Sequence, residues 1–168
     1  MQVDRRTFLA FGGAAMVVGV AVTYPGNEPP ADATPPPPGR YPFRLSDAQW
    51  RARLSDLQYR VLRQGETERA GSSPLDREHR RGTFHCAGCN HRLYASTTKF
   101  DSGTGWPSFW QPLPGAVVTR SDNSLGMRRT EVLCANCGGH LGHVFNDGPR
   151  PTGLRYCMNG AALVFRAA

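Results

Sequence analysis

Cys86-Ala87-Gly88-Cys89 and Cys134-Ala135-Asn136-Cys137 repeat one C-x-x-C spacing at two places in the chain. A turn of this kind aims two sulfurs from one tight loop, and two such turns facing each other supply the four thiolates of a closed tetrahedral zinc site. Binding of that sort is folding energy, because the unfolded chain holds no preformed site. The stretch between the pairs is much longer than the loop of a small zinc ribbon, so the metal is expected to clamp two distant hairpins of a larger domain. Two disulfides, a thioredoxin-like redox pair and four unpaired core thiols compete with this reading. The redox pair would need a βαβ context that the sequence does not display. The doubled spacing favours one structural Zn2+ per chain on Cys86, Cys89, Cys134 and Cys137. Gly88, Gly138 and Gly139 suit the tight backbone path of such knuckles.

Upstream, Asp4-Arg5-Arg6-Thr7-Phe8-Leu9-Ala10 precedes a mostly apolar run from Phe11 to Val22. Paired arginines before a Gly- and Ala-rich run too short for a comfortable membrane span read as a twin-arginine export signal over residues 1–24. The alternative is an uncleaved N-terminal anchor, and a membrane is expected as a partner only through that segment. Ala31-Asp32-Ala33 offers a cleavage site. Export places the protein in the periplasm or cell envelope, and the twin-arginine route carries proteins already folded, so zinc would be loaded before transport. Residues 25–45, with Pro35-Pro36-Pro37-Pro38-Gly39, form a Pro-rich linker in extended polyproline II. The folded domain is residues 46–168, long enough to bury a core of its own.

Two capping boxes in series open that domain, Ser46-Asp47-Ala48-Gln49 and Ser55-Asp56-Leu57-Gln58, and Gly65 stops the second helix. After Gly71-Ser72-Ser73-Pro74 the texture changes to short apolar runs broken by Gly, Pro, Asn and Asp. Thr83-Phe84, Leu93-Tyr94, Ala116 to Thr119, Glu131 to Leu133 and Ala161 to Phe165 read as short strands, mostly antiparallel. The fold class is mainly β with short N-terminal helices. Nineteen of the twenty basic residues are Arg and the net charge is +7, which first suggests nucleic acid. Residues 46–168 carry sixteen basic against ten acidic side chains, and four thiolates on one zinc remove two more charges. No aromatic and basic interleaving accompanies them, so no nucleic-acid partner is expected.

Between the cysteine pairs, Phe100-Asp101-Ser102-Gly103-Thr104-Gly105-Trp106-Pro107-Ser108-Phe109-Trp110 packs two glycines, one proline and three large aromatics after its opening residues. Gly103 and Gly105 permit left-handed backbone and Pro107 stiffens the residues after it, so Trp106 is either a rigid wall for a soft group such as a thioether methyl, or a core tryptophan. His140 and His143 come after the second knuckle, three residues apart. They are open to metal ligation, a proton relay or a plain polar role, although four cysteines already fill the zinc tetrahedron. Cys157 is the one cysteine outside the pairs. It is a buried inert thiol or a nucleophile, and on a strand Arg155, Cys157 and Asn159 would share a face. A guanidinium beside the sulfur favours the thiolate.

Cys86-Ala87-Gly88-Cys89, Lys99-Phe100-Asp101-Ser102-Gly103-x-Gly105-Trp106-Pro107-Ser108-Phe109, Gly126 to Val132, His140 to Pro149 and Arg155-Tyr156-Cys157-x-Asn159, in that order, closely resemble the B-type peptide-methionine sulfoxide reductases, which act on the R epimer. The likeness covers about Ser46 to Phe165. It implies two antiparallel sheets with short helices outside, and a structural zinc on the four paired cysteines. It implies Cys157 as catalytic nucleophile, Trp106 as the aromatic that packs the substrate methyl, and His143 and Asn159 as catalytic polar groups. His140, Asp147 and Arg155 fall at supporting, substrate-binding positions.

The activity so implied is thiol-dependent reduction of methionine R-sulfoxide in proteins through a cysteine sulfenic acid, a repair of oxidative damage. The partners implied are proteins carrying methionine sulfoxide and an external, thioredoxin-like thiol reductant. Thr104 stands where many relatives carry a resolving cysteine, so an outside thiol is expected to attack the sulfenic acid directly. Gly160 replaces the serine more usual after Asn159, which is expected to loosen the site locally. The rival reading is a zinc-stapled binding module indifferent to Cys157, and it leaves Arg155 and Asn159 beside a lone cysteine unexplained.

Overall fold

The computed structural model describes residues 41–168, of Leu125 the backbone alone. The twin-arginine segment, the Ala31-Asp32-Ala33 site and residues 25–40 of the Pro-rich linker lie outside the described residues. Two helices come first, α1 (Asp47–Arg53) and α2 (Asp56–Gln64). Each starts from the serine expected. The Gln49 N–H donates to Ser46 Oγ at 3.3 Å while Gln49 Oε1 accepts the Ser46 N–H at 2.8 Å, and Ser55 and Gln58 repeat the arrangement. A cap of this kind is worth about 1 kcal/mol. Gly65 ends α2 in the left-handed region at φ 73°. Trp50, Tyr59, Val61 and Leu62 turn inward as the buried face of the pair.

Nine strands come next among the described residues, all paired antiparallel. β1 (Gly82–Cys86), β2 (Arg92–Ala95) and β9 (Leu163–Ala167) make a three-stranded sheet in the order β2-β1-β9. β3 (Lys99–Phe100), β4 (Ser108–Phe109), β5 (Val117–Asp122), β6 (Arg129–Cys134), β7 (His140–Phe145) and β8 (Arg155–Met158) make a six-stranded sheet in the order β3-β4-β8-β7-β6-β5. This is the mainly β, two-sheet architecture expected. β9 begins two residues later than the apolar run suggested. Gly160–Ala162 forms a 3-10 turn instead, because the Glu68 carboxylate takes the N–H groups of Gly160 and Ala161.

The core lies between the sheets and is held by aromatics. Tyr94 of β2 stacks on Phe109 of β4 at 4.3 Å between ring centres, and Phe84 of β1 meets the same ring edge-on at 4.9 Å. Such pairs add about 0.5–1.5 kcal/mol beyond the area they bury. The Tyr94 hydroxyl, fully buried, donates to Met158 Sδ at 3.1 Å, tying β2 to the strand that carries Cys157. Alternation along β8 does the rest. Tyr156 and Met158 enter the core, and Arg155 and Cys157 face the other way.

Candidate active site and metal centre

The four paired cysteines converge. Their sulfurs all lie within 4.8 Å of one another, with Cys86 to Cys137 at 3.8 Å and Cys89 to Cys134 at 3.6 Å. Zinc–thiolate bonds of about 2.3 Å at tetrahedral angles place neighbouring sulfurs about 3.8 Å apart, so the cluster fits a four-thiolate metal ion. All five cysteines of the chain are free thiols, against the disulfide alternative, and Cys157 stands outside the cluster. Each knuckle turns through a left-handed residue, Asn90 at φ 61° and Gly138 at φ 69°. Gly88 and Gly139 lack that backbone. They serve by their size, since a Cβ on Gly139 would meet the Leu62 side chain at 2.9 Å and one on Gly88 would meet the Trp50 ring at 3.3 Å. The helices close over the cluster as well, Arg53 Nε donating to Gly88 O at 2.6 Å and Arg63 Nη1 to Cys137 O at 3.2 Å.

Cys157 sits in a transverse row of the six-stranded sheet. Cross-strand partners run Ser108, Cys157, His143, Glu131, Arg120 through β4, β8, β7, β6 and β5, and directly paired residues share a face. Gly142 allows the close approach of β7 and β8, since its Cβ would lie 2.1 Å from the Cys157 carbonyl oxygen. The Thr104 hydroxyl lies 3.9 Å from the Cys157 sulfur and shares hydrogen bonds with Ser102 at 2.8 Å, which in turn reaches Ser108 at 2.7 Å. Burial pushes the Cys157 thiol above its ordinary value, while Thr104, Arg155 and Ser108 pull it back. Arg155 therefore acts in the direction expected from sequence, but burial outweighs it.

Arg155 is fixed from two sides. Its Nε and Nη2 each donate to Asp147 at 2.8 Å in a bidentate pair, and its guanidinium covers the Phe145 ring at 4.5 Å. Each histidine also has a carboxylate. His140 Nδ1 lies 2.6 Å from Glu131 Oε1, and the same carboxylate takes a second bond from Arg120. His143 Nε2 lies 2.8 Å from Asp122 Oδ2, which Arg129 also holds at 2.7 Å. Burial lowers the His143 pKa, opposed by Asp122 and reinforced by Arg129 and His140. Both histidines border a polar cavity of about 450 Å3 with Arg120, Asp122, Arg129 and Glu131. His140 Nε2 is buried without a hydrogen-bond partner among the described residues.

Trp106 is half-buried, and its loop is built on the left-handed Gly103 and Gly105, at φ 69° and 85°. Its indole Nε1 donates to the Glu68 carbonyl at 3.1 Å. Asn159 is buried just past the end of β8. Its Oδ1 accepts the Glu68 N–H at 3.0 Å and its Nδ2 donates to Leu141 O at 3.2 Å. Gly160 does not loosen this corner. A Cβ there would lie 2.0 Å from Ser73 Oγ, so the Ser73 side chain occupies the space a serine at 160 would need. Asp122, Glu131 and Glu68 join the site without having been expected there from sequence. A carboxylate facing a histidine across two strands leaves no local spacing to read.

A family profile, the SelR domain, matches residues 54–167. Over 127 residues the chain is 54% identical to the peptide methionine sulfoxide reductase MsrB of Leptospira interrogans, an alignment covering 75% of this chain and 97% of that protein. It is 60% identical over 119 residues to MsrB of Bradyrhizobium diazoefficiens, covering 70% and 86%. Peptide methionine sulfoxide reductase B1, chloroplastic, of rice is 52% identical over 124 residues, covering 73% and 58%. The SelR match runs from the end of α1 to the end of β9 and takes in both knuckles and the whole Cys157 row, and the chain therefore belongs to the SelR-domain family of MsrB peptide methionine sulfoxide reductases.

Proposed function

We propose that the chain reduces methionine R-sulfoxide in proteins to methionine, with Cys157 as nucleophile and an external thiol as reductant. By family it is an oxidoreductase, a peptide-methionine (R)-S-oxide reductase. The observation that carries the mechanism is the placement of Cys157, the one cysteine outside the four-cysteine cluster, in the row between Ser108 and His143.

Cys157 gives up its thiol proton to solvent and attacks the sulfoxide sulfur as the thiolate, and the sulfoxide oxygen is transferred to it as one proton is taken up. Methionine leaves and Cys157 carries a sulfenic acid. His143 supplies the proton directly or through water, in its protonated form. The indole of Trp106 is the wall for the substrate methyl, and Arg155, oriented by Asp147, favours the anionic sulfur. His140, bound to Glu131, and Asn159 complete the polar surround. Two equivalents of outside thiol, of a thioredoxin-like protein in the cell, then return Cys157 to the thiol and release a disulfide and water. The metal on the four paired cysteines is zinc, one per chain, and it supplies structure alone.

Residues 1–24 act as a twin-arginine signal or anchor and residues 25–45 as a spacer, so that residues 46–168 repair oxidised proteins of the periplasm or envelope. Unchanged export after Arg5→Lys and Arg6→Lys would sink that part. The catalytic reading is tested by a stereochemically resolved sulfoxide assay with dithiothreitol on the wild type and Cys157→Ser. Turnover of the R epimer by the wild type, lost in the variant with zinc retained, is the expected result.

A further inference from the structure

Glu68 belongs to none of the motifs, yet it joins the two walls of the site. Its four hydrogen bonds reach two segments, the Trp106 loop and the stretch Asn159 to Ala161. The backbone N–H donates to Asn159 Oδ1 at 3.0 Å, and the backbone carbonyl accepts from Trp106 Nε1 at 3.1 Å. One carboxylate oxygen accepts the Gly160 N–H at 2.6 Å and the other the Ala161 N–H at 2.9 Å. The residue is only 5% exposed. Ionised acceptors of backbone N–H groups form bonds roughly twice as strong as neutral ones, and leaving a buried donor without a partner is costly.

The segment around Glu68 also touches the Trp106 loop a second time. The Gly71 N–H donates to Gly105 O at 2.7 Å, and a Cβ on Gly105 would meet Gly71 N at 2.8 Å. The indole is thus hung on the Glu68 carbonyl, and Glu68 is in turn anchored by its side chain to the turn that begins three residues after Cys157. A displacement of Glu68 changes the distance between indole and sulfur without touching either.

We propose that Glu68 is a positioning residue for the reductase reaction, setting the Trp106 indole against the Cys157 strand through its carboxylate anchor on Gly160 and Ala161. This rests on the reading of Trp106 as the methyl wall. A substrate whose methyl group is held off line loses rate steeply, since a misplacement of about 1 Å costs about 100-fold.

Glu68→Gln tests it, because the amide keeps the shape and the backbone bonds but faces one of the two N–H groups with a donor. The expected result is at least about a tenfold fall in kcat/KM for methionine R-sulfoxide, with circular dichroism and metal content of the wild type. Trp106→Phe keeps an aromatic ring but removes the Nε1 donor, and it approaches the same contact from the other side. It should show a comparable fall, and the double variant should be no worse than the poorer single, as two changes to one contact are not additive.

Independently of any substrate, the Trp106 indole N–H, observed by nitrogen-15 NMR, should exchange with solvent at least about ten times faster in Glu68→Gln. Additive kinetics, a Trp106→Phe enzyme within twofold of the wild type, or unaltered indole exchange would each overturn the proposal. A wild type inactive on the sulfoxide would instead overturn the reductase reading and leave the exchange result to judge whether Glu68 holds the indole.

Discussion

The Thr104 hydroxyl oxygen lies 3.9 Å from the Cys157 sulfur, on a loop whose flanking Gly103 and Gly105 both have positive φ. The side chain at position 104 therefore already points at the proposed nucleophile, and on that reading its chemistry decides how the oxidised enzyme is resolved. A hydroxyl can hold a sulfenic acid by hydrogen bonding but cannot form a disulfide with it. The wild type should stop at Cys157 sulfenic acid when reductant is withheld, trapped by dimedone at one label per chain. Thr104→Cys should instead give a Thr104→Cys to Cys157 disulfide, seen by mass spectrometry. A disulfide to Cys157 in the wild type would contradict the geometry.

The free thiol is pushed up by burial and pulled down by Thr104, Arg155 and Ser108. Only the thiolate reacts with iodoacetamide, so alkylation of Cys157 should rise with pH through a midpoint above that of an ordinary cysteine. Thr104→Val and Arg155→Met each remove a group that favours the anion. Both should move the midpoint higher, measured as the rate of label incorporation at Cys157 across the pH range.

In the proposed step His143 donates a proton only while protonated, and its pKa lies below the ordinary histidine value because burial penalises the charge. A lowered pKa means that the donor form is lost as pH rises through that lower value. The kcat of the chemical step should fall in that window. Asp122 opposes the shift at 2.8 Å, so Asp122→Asn should move the fall to still lower pH. The kcat profile and an NMR titration of the His143 ring read the same displacement, and a profile that moved upward would refute the pairing.

Gly160 and Ser73 share one space, with 2.0 Å between Ser73 Oγ and the position of a Cβ on residue 160. Gly160→Ser should destabilise the fold by about 1–3 kcal/mol through overpacking. Adding Ser73→Gly should recover most of that loss in urea unfolding. Equal midpoints for the wild type and Gly160→Ser would show that the corner has room for both side chains.

A structural zinc contributes roughly 10 kcal/mol or more, comparable to the entire net stability of a domain, about 5–15 kcal/mol. Cys89→Ser, or stripping of the ion by a strong chelator, should therefore unfold the domain. Cys157→Ser should bind one zinc per chain with an unchanged melting temperature and no reductase turnover. Metal analysis and circular dichroism on the same preparations separate the two classes of cysteine.

What the sequence made legible was whatever is local. Ser46 with Gln49 and Ser55 with Gln58 cap their helices within one turn, and each C-x-x-C turn sets its own two sulfurs. The face of Cys157 and Arg155 came from the alternation of a strand. What stayed hidden depends on distant partners. Glu68 meets Asn159, Gly160 and Ala161 across 91 to 93 residues, and no spacing announces such a contact. Asp122 and Glu131 became partners of the histidines only when β5, β6 and β7 fell into register. The expected looseness at Gly160 failed for the same reason, since its neighbour Ser73 comes from far upstream.

The two knuckles belong to different sheets, the first at the end of β1 and the second at the end of β6. One ion shared between them would close residues 90–133 into a ring, and both Thr104 and Trp106 lie on that stretch while Cys157 lies off it. Loss of the ion would open that ring as the domain unfolds, while the Cys157 sulfur itself would stay chemically intact. On the proposed function, metal supply as much as thiol supply would then set how much of the polypeptide is working enzyme.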